Sequence, residues 1–278
     1  MVSPRRPAKA TPRGVHEVPI GGEMTKAQES GGDDRWQRTL VQMMQGQAYR
    51  ELAAAHLFGH GLQFVPEMRW LKLFTWHIRE ELEHYEAVAR MYRDFTGESV
   101  EPIVNARLEE RPVPLAGSFY ELAMAQFLYD RGGFWQLREY EECSFEPYRK
   151  VVRKIVEEER GHQALGERLV VELTRTGRYD ADKQKIFERW LRQGLLSFGR
   201  PGSEGARYAI AKGLKKRDPA EVMRDFLDDI QAAMRLAGLV LPPLAALGIE
   251  GPQRPESPAP GPESALPRTE RSAGQPAA

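Results

Sequence analysis

The segment Val156-Glu157-Glu158-Glu159-Arg160-Gly161-His162-Gln163-Ala164-Leu165-Gly166 places Glu159 and His162 three positions apart in a strongly helical context. Residues three apart on a helix share a face. A carboxylate and an imidazole projecting together are what one helix can offer a first-row metal ion. A second such pair, Glu81 and His84, lies upstream. With 30 glutamates and six histidines in 278 residues, chance supplies fewer than one such pair. Two pairs therefore carry weight only if the fold brings them together.

The flanking pattern bears on that. Trp36, Leu40, Met43, Met44, Gln47, Tyr49, Leu52 and Ala55 recur at helical spacing and predict a first helix from Asp34, with Asp33 or Asp34 as its cap. Pro66 should end it, and a second helix then runs to Thr96 with Gly97 as its stop. Residues 98–117, with Pro102, Pro112 and Pro114, read as a crossover connection rather than an element. A third helix begins near Ser118 and carries Phe119, Leu122, Ala123, Phe127, Leu128 and Trp135. A fourth starts at Pro147 and ends near Thr176. Further helices are expected over residues 181–198 and 205–217, and a last one starts with Asp218 as cap and Pro219 in its first turn. No segment alternates with period two, so the fold class is all-α, a four-helix bundle with additional C-terminal helices. Residues 34–246 should form the bundle. Residues 1–33 and 247–278, rich in Pro, Gly, Ala and Ser, read as disordered extensions.

Composition narrows the function. Lys plus Arg and Asp plus Glu both number 40, so no global field favours nucleic acid or an anionic membrane. Cys143 is the single cysteine, which excludes an internal disulfide and leaves carboxylate and imidazole as metal donors. Arg5, Arg6 and Lys9 precede no apolar run, and no stretch approaches the roughly 18 apolar residues of a membrane span. A cytoplasmic location is the expectation.

An antiparallel hairpin brings to one height two residues equally far from its turn. Glu51 and Glu81 are 30 positions apart with their midpoint at Pro66, and Asp130 and Glu159 are 29 apart with theirs just before Pro147. Each half is then a hairpin with a carboxylate on its first helix level with a Glu-x-x-His on its second. That is the donor set of a carboxylate-bridged dinuclear site in a four-helix bundle. Asp130 is the only acidic residue between Glu121 and Arg131 in an apolar run, where an unpaired carboxylate is costly. The plainer reading pairs Asp130 with Arg131 and Glu51 with Arg50.

Other polar residues are weaker candidates. His77, four before Glu81, can line the same face behind the donors. His56 and His60 read as packing or surface residues, and Glu139 lies out of level with Glu159. Tyr49, Tyr85 and Tyr129 adjoin proposed donors, but neighbours on a helix point apart, so each reads as core. The run from Lys212 to Arg217 reads as a solvated face.

With these residues in view, the chain resembles the ferritin-like oxygenase subunits of the multicomponent phenylacetyl-CoA epoxidase, the phenylacetic acid catabolic family. The similarity is clearest over Phe127 to Gly166, where Asp130-Arg131-Gly132-Gly133 precedes Ser144-Phe145-Glu146-Pro147-Tyr148 and a basic helix leads into Glu158-Glu159-Arg160-Gly161-His162-Gln163. It extends over Tyr49 to Tyr92 and more loosely to Phe198-Gly199-Arg200-Pro201 and Leu236 to Pro242.

The resemblance implies a di-iron centre, manganese being the alternative metal, that activates dioxygen and inserts one atom into a small aromatic or acyl-CoA-type substrate. It implies a separate reductase as electron donor, a ferritin-like partner subunit and an oligomeric assembly. Position by position, the metal ligands would be Glu51, Glu81, His84, Asp130, Glu159 and His162, with Glu81 and Glu159 shared between the ions. The family also contains a similar subunit that has lost its metal, so a non-catalytic structural subunit is the alternative, as is an iron oxidase or peroxide scavenger.

Overall fold

A computed structural model describes residues 34–249. Of the extensions expected over residues 1–33 and 247–278, all but residues 247–249 lie outside the described residues, and there Leu247 and Ile249 pack into the core. Among the described residues all regular structure is helical, and the architecture is a ferritin-like four-helix bundle with further helices on its C-terminal side.

α1 (Asp34–Gly61) and α2 (Met68–Thr96) form the first hairpin around a short 3-10 turn at Leu62–Phe64 and Pro66. Gly97 ends α2 with φ 79°, a left-handed conformation that glycine adopts without a Cβ penalty. α3 (Glu101–Glu110) occupies the crossover, contrary to the connection expected there. Pro102 sits in its first turn, where a missing N–H costs nothing and the fixed φ favours helix, so this proline starts a helix rather than breaking one.

α4 (Phe119–Ala125) begins at a reciprocal cap. Ser118 Oγ accepts from the Glu121 N–H at 3.1 Å, and Glu121 Oε2 accepts from the Gly117 N–H at 2.7 Å. The helix continues through a single π turn at Gln126–Asp130 into α5 (Arg131–Leu137). The π turn is absent from the sequence expectation, and it carries Asp130. α6 (Glu146–Thr174) returns along this rod as the fourth helix. α7 (Lys183–Leu196), α8 (Glu204–Ala211) and α9 (Pro219–Leu236) follow, the last capped by Asp218 Oδ1 accepting from the Ala220 N–H at 2.9 Å.

α8 stops at Ala211, six residues before its expected end, and the chain turns at Gly213 with φ 66°. The turn delivers Arg217 to Glu139, whose carboxylate is 1% exposed and accepts from the Arg217 backbone N–H, Nε and NH2 at 2.7–3.0 Å. Arg217 also pairs with Asp225, and Lys216 with Glu142. The basic run is therefore in part an anchor for α5 and α9, not a solvated face.

Two apolar clusters fill the bundle. Leu40, Met44, Ala48, Val88, Met91, Tyr148, Val152 and Ile155 form one end. Leu57, Phe58, Phe74, Phe119, Leu122, Phe127 and Leu169 begin the other, which continues through Trp190 of α7 and Phe226 of α9. Between them α1, α2 and α6 each change from apolar to charged for one or two turns and then change back. A polar belt thus crosses the interior at one height.

Glycines let the outer helices close on the π turn. A Cβ at Gly166 would lie 2.6 Å from the Phe127 nitrogen, and one at Gly194 would lie 2.5 Å from the Leu128 carbonyl oxygen. Both clashes are with backbone and no rotamer relieves them. Gly166→Ala should lower unfolding free energy by about 1–3 kcal/mol in chemical denaturation, as overpacking does. Gly59→Ala, in open space on α1, should be neutral or stabilise by up to about 1 kcal/mol.

Candidate metal centre

The polar belt brings all six residues singled out by spacing into one buried volume. Glu51, Glu81, His84, Asp130, Glu159 and His162 are each at most 7% exposed. Together with His77 they fall into two groups, Glu51–Glu81–His84–Glu159 and His77–Glu81–Asp130–His162, in each of which one donor atom per residue lies within 4.8 Å of the others. Glu81 belongs to both. The pairings offered as plainer readings do not form. Arg131 bonds Asp229 at 3.0 Å and Glu167 at 2.8 Å, leaving Asp130 to accept from Gln126 Nε2 at 2.6 Å. Arg50 donates to Gln47, and Gln47 to Glu51.

The imidazoles are oriented by residues the sequence reading missed. His84 Nε2–H donates to Glu158 at 2.9 Å, and His162 Nε2–H donates to Glu80 at 2.8 Å. The bonds cross, since each histidine is held by the glutamate that precedes the donor glutamate on the opposite helix. The signal was present as a repeated Glu-Glu-x-x-His, at Glu80 to His84 and Glu158 to His162. Outer carboxylates of this kind fix ring orientation and tautomer at metal-binding histidines.

With Nε2 engaged, Nδ1 of each ring faces the carboxylates. His84 Nδ1 is 3.6 Å from Glu51 and 3.5 Å from Glu159, buried and without a hydrogen-bond partner among the described residues. His162 Nδ1 is 3.1 Å from Glu159 and 3.9 Å from both Glu81 and Asp130. An orphaned nitrogen facing two carboxylates at these distances is the arrangement a cation between them would satisfy. Four carboxylates and two imidazoles are also a donor set for iron or manganese rather than for a soft-ligand metal. The residues present fit a dinuclear divalent centre.

The electrostatics of the metal-free chain agree. Burial, then the charges of Glu159, Glu51 and Asp130, pushes Glu81 well above the usual carboxylate range, and burial and Glu159 do the same to Asp130. Burial would lower His84 and His162, but their carboxylate neighbours outweigh it and raise them to about 11 and about 10. Burial likewise works to raise Glu159, and the charge and hydrogen bond of His162 overcome it and hold this carboxyl low. Imidazolium protons thus stand where metal charge would stand.

His77 lies on the face expected of it, whereas Tyr129 departs from its expected place. His77 enters the donor cluster itself, with Nε2 2.7 Å from Glu81 and 3.7 Å from Asp130. Tyr129 shares a cavity wall with Asp130, Glu51, Glu81 and Glu159, although neighbours on an α-helix point apart. The π turn supplies the reason, because its wider i→i+5 spacing changes the angle between successive side chains. The cavity is about 30 Å³, and Ala54, Phe134 and Leu137 form its apolar side. His56 and His60 are exposed, Tyr49 bonds the Arg111 carbonyl, and Glu139 is held by Arg217, so none of these reaches the site.

The signs of these shifts give a test. Histidines raised in the folded chain contribute stability that is fully present below their unfolded pKa near 6.5 and lost as pH rises towards 10 and 11. Raised carboxyls act in the same direction. The melting temperature of metal-free protein should therefore fall from pH 7 to pH 10. The stabilisation conferred by added divalent metal should grow over the same range, because binding releases those protons. Thermal scans with and without metal would show it.

Comparison with known proteins is consistent with this geometry. Residues 98–254, more than half of the chain, match the family model described as phenylacetic acid catabolic protein. The match contains Asp130, Glu159 and His162, while Glu51, His77, Glu81 and His84 lie before it and rest on the geometry alone. Comparison with curated proteins finds no match. On the strength of the family match, the chain belongs to the phenylacetic acid catabolic protein family.

Proposed function

We propose that this protein is a di-iron, dioxygen-activating monooxygenase acting on a small aromatic or acyl-CoA-type substrate, with electrons from a separate reductase. The observation that carries the reading is Glu81, common to two buried four-donor groups. Glu51, Glu81, His84, Asp130, Glu159 and His162 would hold the ions, with Glu81 and Glu159 as the shared carboxylates. When bound, the metals supply the redox chemistry of oxygen activation.

The chain's own part is to bind, orient and exclude water. Glu80 and Glu158 hold the Nε2 protons of His162 and His84, which leaves Nδ1 free to donate a lone pair inward. Gln126 and Gln47 restrain Asp130 and Glu51 by single hydrogen bonds. Ala54, Phe134 and Leu137 give the cavity beside the donors one apolar wall, against which a small reactant could lie. Retaining every donor at the cost of burying four carboxylates favours a catalytic role over that of a partner subunit without metal. Family membership supports partner subunits in the working assembly.

Anaerobic ferrous loading should give two irons per chain, and Glu81→Ala should lose both. Reductant, an arylacetyl thioester and isotopically labelled dioxygen should then yield product with one labelled atom, at a rate at least 100-fold lower in Glu81→Ala. Oxygen uptake without incorporation would instead favour the iron oxidase reading.

A further inference from the structure

His77 is 1% exposed and sits among the donors without the geometry of one. Its ring stacks on that of His162 with centroids 3.8 Å apart and planes 23° apart, and it also meets the tilted ring of Phe58 with centroids 4.4 Å apart. A nitrogen lone pair lies in its ring plane. Two rings stacked in this way send their lone pairs along nearly parallel planes. These cannot converge on one ion about 2.1 Å from each nitrogen.

We infer that His77 is a positioning residue rather than a metal ligand: its Nε2–H holds Glu81, the shared carboxylate, while its ring braces the imidazole of His162. This inference rests on the two-metal reading of the site. One side chain then fixes two donors contributed by different helices, α2 and α6, and the distances fit the role. Nε2 is 2.7 Å from Glu81 Oε1, a hydrogen bond, but 3.7 Å from Asp130 Oδ1, too far for a second one. Nδ1 meets no acceptor at hydrogen-bond distance among the described residues, and the tautomer with the proton on Nε2 is the one that lets the ring donate to Glu81. Burial and the Phe58 contact restrict the ring further.

Cobalt(II) titration of the metal-free protein tests this without reference to activity. Wild type should bind two ions. Its paramagnetic proton NMR spectrum should show two strongly shifted, exchangeable imidazole N–H signals, from Nε2 of His84 and His162. His77→Phe, which keeps the stack and removes the donor, should retain both signals and weaken at least one ion by about 10- to 100-fold. His77→Gln, which returns an N–H near the same place, should recover most of that loss. Three shifted signals in wild type would make His77 a ligand and overturn the inference. So would unchanged affinity in His77→Phe, or no recovery in a folded His77→Gln. Failure of wild type to bind cobalt at all would overturn the two-metal reading together with it.

Discussion

Glu51, Glu81, Asp130 and Glu159 share one buried volume in the middle of a helical bundle, and the arrangement around them answers that constraint. Burying an unpaired carboxylate costs several kcal/mol, and four at close range repel one another as well. Without metal the chain balances them with imidazolium charge on His84 and His162 and by raising Glu81 and Asp130 towards neutrality. Two divalent ions would balance the same four charges without those protons. The apolar clusters at either end of the bundle supply the folding energy that lets the middle be polar.

The second constraint is steric. Asp130 projects inward from a π turn, an element whose irregular hydrogen bonding has to be supported from outside. Gly166 of α6 and Gly194 of α7 supply that support by letting two backbones approach the turn more closely than any side chain would permit. Arg131, next along the chain, ties the same segment to α6 through Glu167 and to α9 through Asp229. The C-terminal helices therefore do more than extend the core. They clamp the π turn and so hold the Asp130 carboxylate at its place in the belt.

Much of this was legible in the residues. Pro66 and the Ser144–Pro147 segment mark the two hairpin turns, and counting outward from them put Glu51 level with Glu81 and Asp130 level with Glu159, as the helices do. Ser118 and Asp218 announce their helices by the caps they form. What stayed hidden depended on three-dimensional context. Pro102 has the same chemistry whether it breaks a chain or starts α3. A π turn has no compositional mark, so the residues give no reason to turn Tyr129 from the direction of an ordinary helix. The crossed pairing of Glu80 with His162 and Glu158 with His84 needs two helices side by side, although the doubled glutamate before each donor pair hinted at it. Arg217 read as one more surface cation because its partner Glu139 is 78 positions away.

If the belt holds two metal ions that share Glu81, anomalous diffraction at the iron absorption edge from crystals of iron-loaded protein should show two peaks about 3.5–4 Å apart, between α1, α2, α6 and the π turn, both within reach of Glu81. A single peak, or none within that interior, would contradict that reading.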